Sequence, residues 1–61
     1  MKEPTYSVQE ISEILTNAAK TSDKLALINI VDILIEEDEL YTEEQNNLIT
    51  CLCIKTALGF L

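Results

Sequence analysis

The fold of this chain depends on residues 25–35, whose sequence is LALINIVDILI. Nine of these eleven residues are apolar, and their isoleucines and valine would also suit a buried strand. In a strand, Asn29 and Asp32 would project from opposite faces, so each face would carry a polar residue. In a helix, these two polar residues lie on one stripe about 80° wide, together with two acidic residues that follow the segment. The spacing therefore predicts a helix, placed at about residues 23–38, with a broad apolar surface.

Two capping boxes indicate helices on either side. In this motif a Ser or Thr side chain and the Glu or Gln three residues later each bond the other's backbone N–H. One box begins at Ser7 and the other at Thr42. They predict helices over about 8–20 and 43–58, and Gly59 is expected to end the last helix in a left-handed conformation.

The expected architecture is all-α, a three-helix bundle. Its helices are placed at about 8–20, 23–38 and 43–58, in a single domain that covers residues 1–61. The first six residues, 1–6, are expected to form a flexible N-terminal segment. The short connection around residues 39–41 favours antiparallel packing of the second and third helices.

The second and third helices carry more apolar surface than one 61-residue chain covers. Polar residues of the third helix, after its first turn, are spread around the axis and leave no clean solvent face. Hydrophobic burial in so small a chain only about balances the cost of ordering it. We therefore expect a homodimer that completes the bundle. The residues expected at its interface are Ile30, Ile33, Leu34, Leu48, Leu52, Ile54, Leu58, Phe60 and Leu61.

The composition argues against most chemistry. The chain has no His, no Arg and no Trp, and only one Gly and one Pro. The usual general base and metal ligand is therefore missing, as is bidentate anion recognition. Four lysines face eleven acids, for a net charge of −7, and such a surface repels nucleic acid. We expect no enzyme activity, cofactor, metal site, small-molecule substrate or direct nucleic-acid binding.

An acidic edge is the most distinctive surface feature predicted. Residues 25–47 carry seven acidic residues and no basic residue, so the charge of this segment, −7, equals the net charge of the whole chain. The edge is expected to bind a partner protein, with Tyr41 as its aromatic anchor. Its residues are Glu36, Glu37, Asp38, Glu39, Tyr41, Glu43 and Glu44. The alternative interpretations are a solvated loop and helix cap that keeps an apolar protein in solution, and weak binding of divalent ions.

The two cysteines, Cys51 and Cys53, stand two residues apart in the third predicted helix. Their side chains then point about 200° apart around the helix. The two thiols therefore cannot bind the same metal ion and cannot form a disulfide with each other. We expect two buried, reduced thiols. The alternative is an intersubunit disulfide or a redox-sensing thiol.

Residues 1–6 lack the apolar run of a signal peptide, and no apolar stretch reaches the ~20 residues of a membrane-spanning helix. A cytoplasmic location without membrane contact is expected. The function predicted by these exclusions is that of a small acidic, helical protein-binding module. It would act as a regulator or inhibitor by occupying a partner protein's surface. The alternatives are an acidic nucleic-acid mimic that blocks a DNA-binding protein, and a purely structural assembly subunit.

Overall fold

The computed structural model describes residues 2–61 and contains three α-helices. They are α1 (Val8–Thr21), α2 (Lys24–Glu36) and α3 (Glu43–Gly59). The helices pack against one another in up-down-up order, in a body of 36 × 17 × 17 Å with a radius of gyration of 11.0 Å. The prediction of an all-α, three-helix bundle is confirmed.

The capping boxes form as predicted and begin two of the helices. The Ser7 hydroxyl accepts a hydrogen bond from the Glu10 N–H (3.1 Å), and the Glu10 carboxylate accepts one from the Ser7 N–H (3.0 Å). Thr42 and Gln45 make the same reciprocal pair at the start of α3, at 3.1 and 2.9 Å. Each box satisfies two N–H groups that a helix otherwise leaves unpaired.

The connection between α1 and α2 is a two-residue reversal. Ser22 adopts a left-handed conformation with φ 56°, which turns the chain back after α1. The next N–H, that of Asp23, donates to the Ala18 carbonyl (2.9 Å). The Asp23 side chain then caps α2 by accepting from the Ala26 N–H (3.2 Å).

The left-handed ending predicted for Gly59 is wrong. Gly59 is the last residue of α3 and does not have a positive φ. The following residue, Phe60, keeps a right-handed conformation, and its N–H donates to the Ala57 carbonyl (3.0 Å). The helix therefore ends in one further tight turn, in which a left-handed glycine is not required.

α2 is shorter than predicted at its C-terminal end. It ends at Glu36, and a 3-10 turn over Asp38–Leu40 follows in place of further α-helix. The backbone leaves the helical conformation at Glu37, and Tyr41 is extended. This change of direction brings the Tyr41 ring into the core, where the ring is buried.

The core lies along the axis of the bundle and draws on every helix. Its buried members are Ile11 and Leu15 of α1, Ile30 of α2, Tyr41 of the connection, and Ile49 and Cys53 of α3. Tyr6, Val8, Ile14, Leu27, Leu34 and Leu52 pack around them. With so few fully buried side chains, each one carries a large share of the stability.

Ile49 provides a test of this core, because its side chain is completely buried. We expect Ile49→Val to lower the free energy of unfolding by about 1 kcal/mol, through one lost methylene and the small cavity that it leaves. Leu61→Val is the control, since Leu61 is 99% exposed and its change should stay within about 0.5 kcal/mol. Urea denaturation followed by circular dichroism measures both. Equal effects in the two variants would contradict the assignment of Ile49 to the core.

Candidate functional site

The predicted acidic residues lie together at one end of the bundle, which we call the acidic end. It consists of the last residue of α2, the connection, and the first turn of α3, with members Glu36, Glu37, Asp38, Glu39, Glu43 and Glu44. All are exposed except Glu37, which is half-buried. Six carboxylates therefore share the tip of a body only 17 Å wide.

One of these carboxylates, that of Glu37, is engaged within the chain. Its Oε1 accepts from the Thr5 N–H (2.8 Å) and its Oε2 accepts from the Thr5 hydroxyl (2.6 Å). The hydroxyl bond, followed by the backbone bond, lowers the pKa of Glu37 from its ordinary value. Glu37 therefore acts first as a clamp on the N-terminal segment, whereas the other five carboxylates at this end make no hydrogen bond within residues 2–61.

Tyr41 is not the partner-facing anchor that the sequence suggested. Its side chain is only 6% exposed, and its hydroxyl donates to the Tyr6 carbonyl (2.6 Å). Burial, and then the charge of Glu37, raise the pKa of Tyr41. The ring is buried because it fills the gap between the start of α1 and the α2–α3 connection, where a partner does not reach it.

These contacts also affect the segment 1–6 that was expected to be flexible. Met1 lies outside the described residues. Thr5 is held by Glu37, and the carbonyl of Tyr6 is held by Tyr41. The start of α1 is therefore tied to the acidic end across more than thirty positions of sequence.

Asn46 is a positioning residue that the sequence did not reveal. Its Nδ2 donates to the Asp38 carbonyl (2.9 Å), which fixes the 3-10 turn against α3. Its Oδ1 is buried and has no hydrogen-bond partner among the described residues. In the sequence, Asn46 lies four residues after the Thr42 cap, which predicts only that it stands inside a helix. No neighbouring residue indicates that its side chain contacts the 3-10 turn.

The opposite end of the bundle is basic. Lys20 lies in the last turn of α1, Lys24 begins α2, and Lys55 lies in the C-terminal part of α3. Lys20 and Lys55 both line a groove of about 450 Å³ between α1 and α3, whose floor includes Leu15 and Leu52. Three of the four lysines thus lie at the end away from the acidic cluster, with Asp23 as the acid among them. Charge in this chain is separated along its long axis.

The residues predicted for a dimer interface fall into three groups in the single chain. Ile30 is buried in the core, so it offers no surface to a second chain. Ile33, Leu34, Leu52 and Phe60 are half-buried. Leu48, Ile54, Leu58 and Leu61 are exposed by 50 to 99%.

Four further exposed apolar residues lie on α2, where the prediction did not place them in the interface. They are Leu25, Ile28, Val31 and Ile35, exposed by 37 to 70%. Burial on α2 shows which side faces the core, and the sequence pattern alone left that open because α2 is apolar on most sides. The polar stripe through Asn29 and Asp32 is only part of the exposed side.

The exposed apolar side chains of α2 and α3 form a surface that we call the outer face: Ile28, Val31 and Ile35 of α2, and Cys51, Ile54 and Leu58 of α3. The three- and four-residue spacing aligns each set along its helix. Ile35 lines a shallow groove with Asn46 and Thr50 of α3, so the α2 set borders α3. Ile54 is one turn beyond Thr50, which continues the surface across both helices.

The two cysteines differ in environment. Both are free thiols, but Cys51 is exposed on the outer face and Cys53 lies in the core. Burial raises the pKa of the Cys53 thiol. The expectation of two buried thiols is wrong for Cys51, because residues two apart on a helix point in nearly opposite directions and only one of them faces the core.

Within residues 2–61, no helix combines the length and the apolar run needed to cross a bilayer. The same part of the chain brings no three His, Cys, Asp or Glu side chains into an arrangement for a metal ion. Comparisons with protein-family models, with curated proteins and with solved structures found no match to this chain.

The buried hydroxyl of Tyr41 makes a testable contribution to stability. Tyr41→Phe should lower the free energy of unfolding by about 1 kcal/mol at neutral pH, because the bond to the Tyr6 carbonyl is lost. Because the folded pKa is raised, this contribution is complete below about pH 10 and is lost as the pH rises beyond it. The variant should lack that part of the alkaline loss. Urea denaturation between pH 7 and 11 measures this, with Tyr6→Phe, which keeps its carbonyl, as control.

The contact between Thr5 and Glu37 is testable by titration. Thr5→Val removes the hydroxyl, so the pKa of Glu37 should rise toward its ordinary value. Carbon-detected NMR of the Glu37 carboxyl between pH 2 and 7 measures the change. Thr21→Val is the control, since the Thr21 hydroxyl donates to the Asn17 carbonyl. An unchanged Glu37 pKa in Thr5→Val would show that the clamp does not form.

Proposed function

We propose that this chain is a protein-binding module that acts as a regulator or inhibitor by occupying the surface of a partner protein, and that the outer face is its binding surface. The observation that carries this proposal is the exposure of large apolar side chains on α2 and α3 of a chain with so small a core. Contiguous apolar surface on a soluble domain is typical of sites where another protein docks.

The shape of the outer face supports docking of a helix or of an apolar groove. Its α2 and α3 members run along two adjacent helices, and such pairs of ridges accept a third helix between them. Ile54 lies near the middle of this surface and is 57% exposed. A side chain of this kind, central and apolar, is where binding energy concentrates in an interface.

A second candidate function uses the acidic end. Five exposed carboxylates at one tip, with three lysines at the other, would present a concentrated negative charge to a basic surface. An inhibitor of this kind would mimic nucleic-acid phosphates and block a DNA-binding protein by electrostatic complementarity. Its binding would weaken steeply with salt, since screening acts over about 10 Å at 0.1 M ionic strength.

Affinity capture with matched variants of the tagged chain tests both candidates. Ile54→Glu places a charge on the outer face, and the combined variant Glu36→Gln, Glu39→Gln, Glu43→Gln, Glu44→Gln neutralises most of the acidic end. Asn17→Glu is the control, because it adds the same charge at an exposed position of α1. Circular dichroism verifies that each variant keeps its helices.

We expect a specific captured protein to be lost with Ile54→Glu by roughly tenfold or more, and to be retained with the other two variants. Such an interaction should change little between low and physiological salt. The reverse pattern, loss with the glutamine variant and steep salt dependence, would replace the proposal with the acidic mimic. Capture that none of the variants affects would contradict both.

A further inference from the structure

We infer that the outer face is covered by a second copy of this chain, packed antiparallel, so that the acidic end of each copy lies beside the basic end of the other. This inference rests on the proposed function in that it concerns the same surface, for which a second copy and a different protein would compete. It goes further in fixing the symmetry and the orientation of the complex.

The surface area of the chain supports a missing neighbour. A compact monomer of 6.9 kDa is expected to expose about 4,000 Å². This chain exposes 4561 Å². The exposed area therefore exceeds the expected area by several hundred Å². Large apolar side chains of α2 and α3 contribute to this exposed area.

The outer face is chemically suited to pairing with itself. A two-fold dimer brings the same patch of each copy together, so charged patches repel and apolar patches attract. The six residues that define the face carry no formal charge, in a chain whose net charge is −7. Copies of this chain would therefore repel one another through most orientations and attract through this one.

The dimensions of the bundle also fit a dimer. One side of a body 36 Å long and 17 Å wide has a projected area of about 600 Å². A standard interface buries about 800 Å² of accessible surface on each partner. Packing along one whole side of the bundle, rather than at a tip, provides an area of this size.

The charge distribution selects the antiparallel orientation. In a parallel dimer the two acidic ends, with six carboxylates each, would lie side by side. In an antiparallel dimer each acidic end meets the end that carries Lys20, Lys24 and Lys55. Opposite charges in proximity favour the second arrangement, and like charges penalise the first.

Cys51 reports on the formation of this interface. It is the middle residue of α3 (Glu43–Gly59) and it lies on the outer face. Pairing through the outer face covers Cys51 of each copy and removes it from solvent. Cys53 lies on the opposite side of α3 and stays buried in the core in either state.

Sedimentation equilibrium over nanomolar to high micromolar concentrations tests the association. We expect a reversible dimer for the native chain and for Asn17→Glu. Ile54→Glu should raise the dissociation constant by roughly tenfold or more, since the new charge would be buried in the interface. A native chain that remains monomeric throughout this range would overturn the inference.

Alkylation of the native thiols tests which surface is used. The reaction of Cys51 with iodoacetamide, followed by mass spectrometry, should slow as the concentration rises through the dimer range. Cys53 should stay protected at every concentration and serves as the internal control. A dimer in which Cys51 reacts at the same rate as in the monomer would place the interface elsewhere.

Distance measurements between spin labels test the orientation. A label at Glu39→Cys, in a chain with Cys51→Ala and Cys53→Ala, marks the acidic end. The antiparallel dimer separates the two labels by roughly 30 Å or more, given a bundle 36 Å long. A parallel dimer brings them within roughly 20 Å, close to the 17 Å width of the bundle, and would overturn the orientation.

These outcomes separate the inference from the function proposed above. Suppose that the chain is monomeric and that Ile54→Glu abolishes capture of a partner protein. This result would support the proposed protein-binding function and would contradict only the inferred dimer. A dimer with a protected Cys51 would support the inference even where capture of another protein fails. That result would contradict the proposed function as a regulator of a different protein, and it would leave the inferred dimer intact.

Discussion

The structure is governed by a shortage of neighbours for its apolar helices. α2 is apolar on most of its circumference, α3 carries apolar residues on more than one side, and one further helix, α1, is available to cover them. The bundle satisfies the inner sides with a small core around Ile30 and Ile49. The outer sides are left in water, at a cost proportional to the apolar area exposed. The exposed positions of Ile28 and Ile54, and the docking surface that we propose, both follow from this shortage.

Local sequence signals predicted the parts of the fold that depend on local chemistry. The capping boxes at Ser7 and Thr42 fixed two helix starts, because each box is complete within four residues. The pattern of residues 25–35 distinguished helix from strand. At Tyr41, one of the positions where the prediction was wrong, the determining contact is distant in sequence. The Tyr41 hydroxyl bonds a carbonyl 35 residues earlier, and no local pattern reports such a pairing.

The faces of α2 and α3 were the least predictable feature for a related reason. A helix with a narrow apolar stripe shows which side is buried, whereas one that is apolar nearly all round does not. Only the packing of three helices revealed that Ile30 faces inward and that Ile28 faces outward. The same ambiguity applied to Cys51 and Cys53, which are two positions apart: Cys51 is exposed and Cys53 is buried.

The separation of acids and lysines also gives a single chain an electric dipole moment along its long axis, which pairing in antiparallel orientation would cancel. Its negative pole lies at the α2–α3 connection and its positive pole lies near the junction of α1 and α2. A body of this kind rotates in the field of a charged surface before it touches that surface. Encounters with a basic surface would begin with the negative tip leading, so the charge pattern biases the orientation of approach as well as its rate.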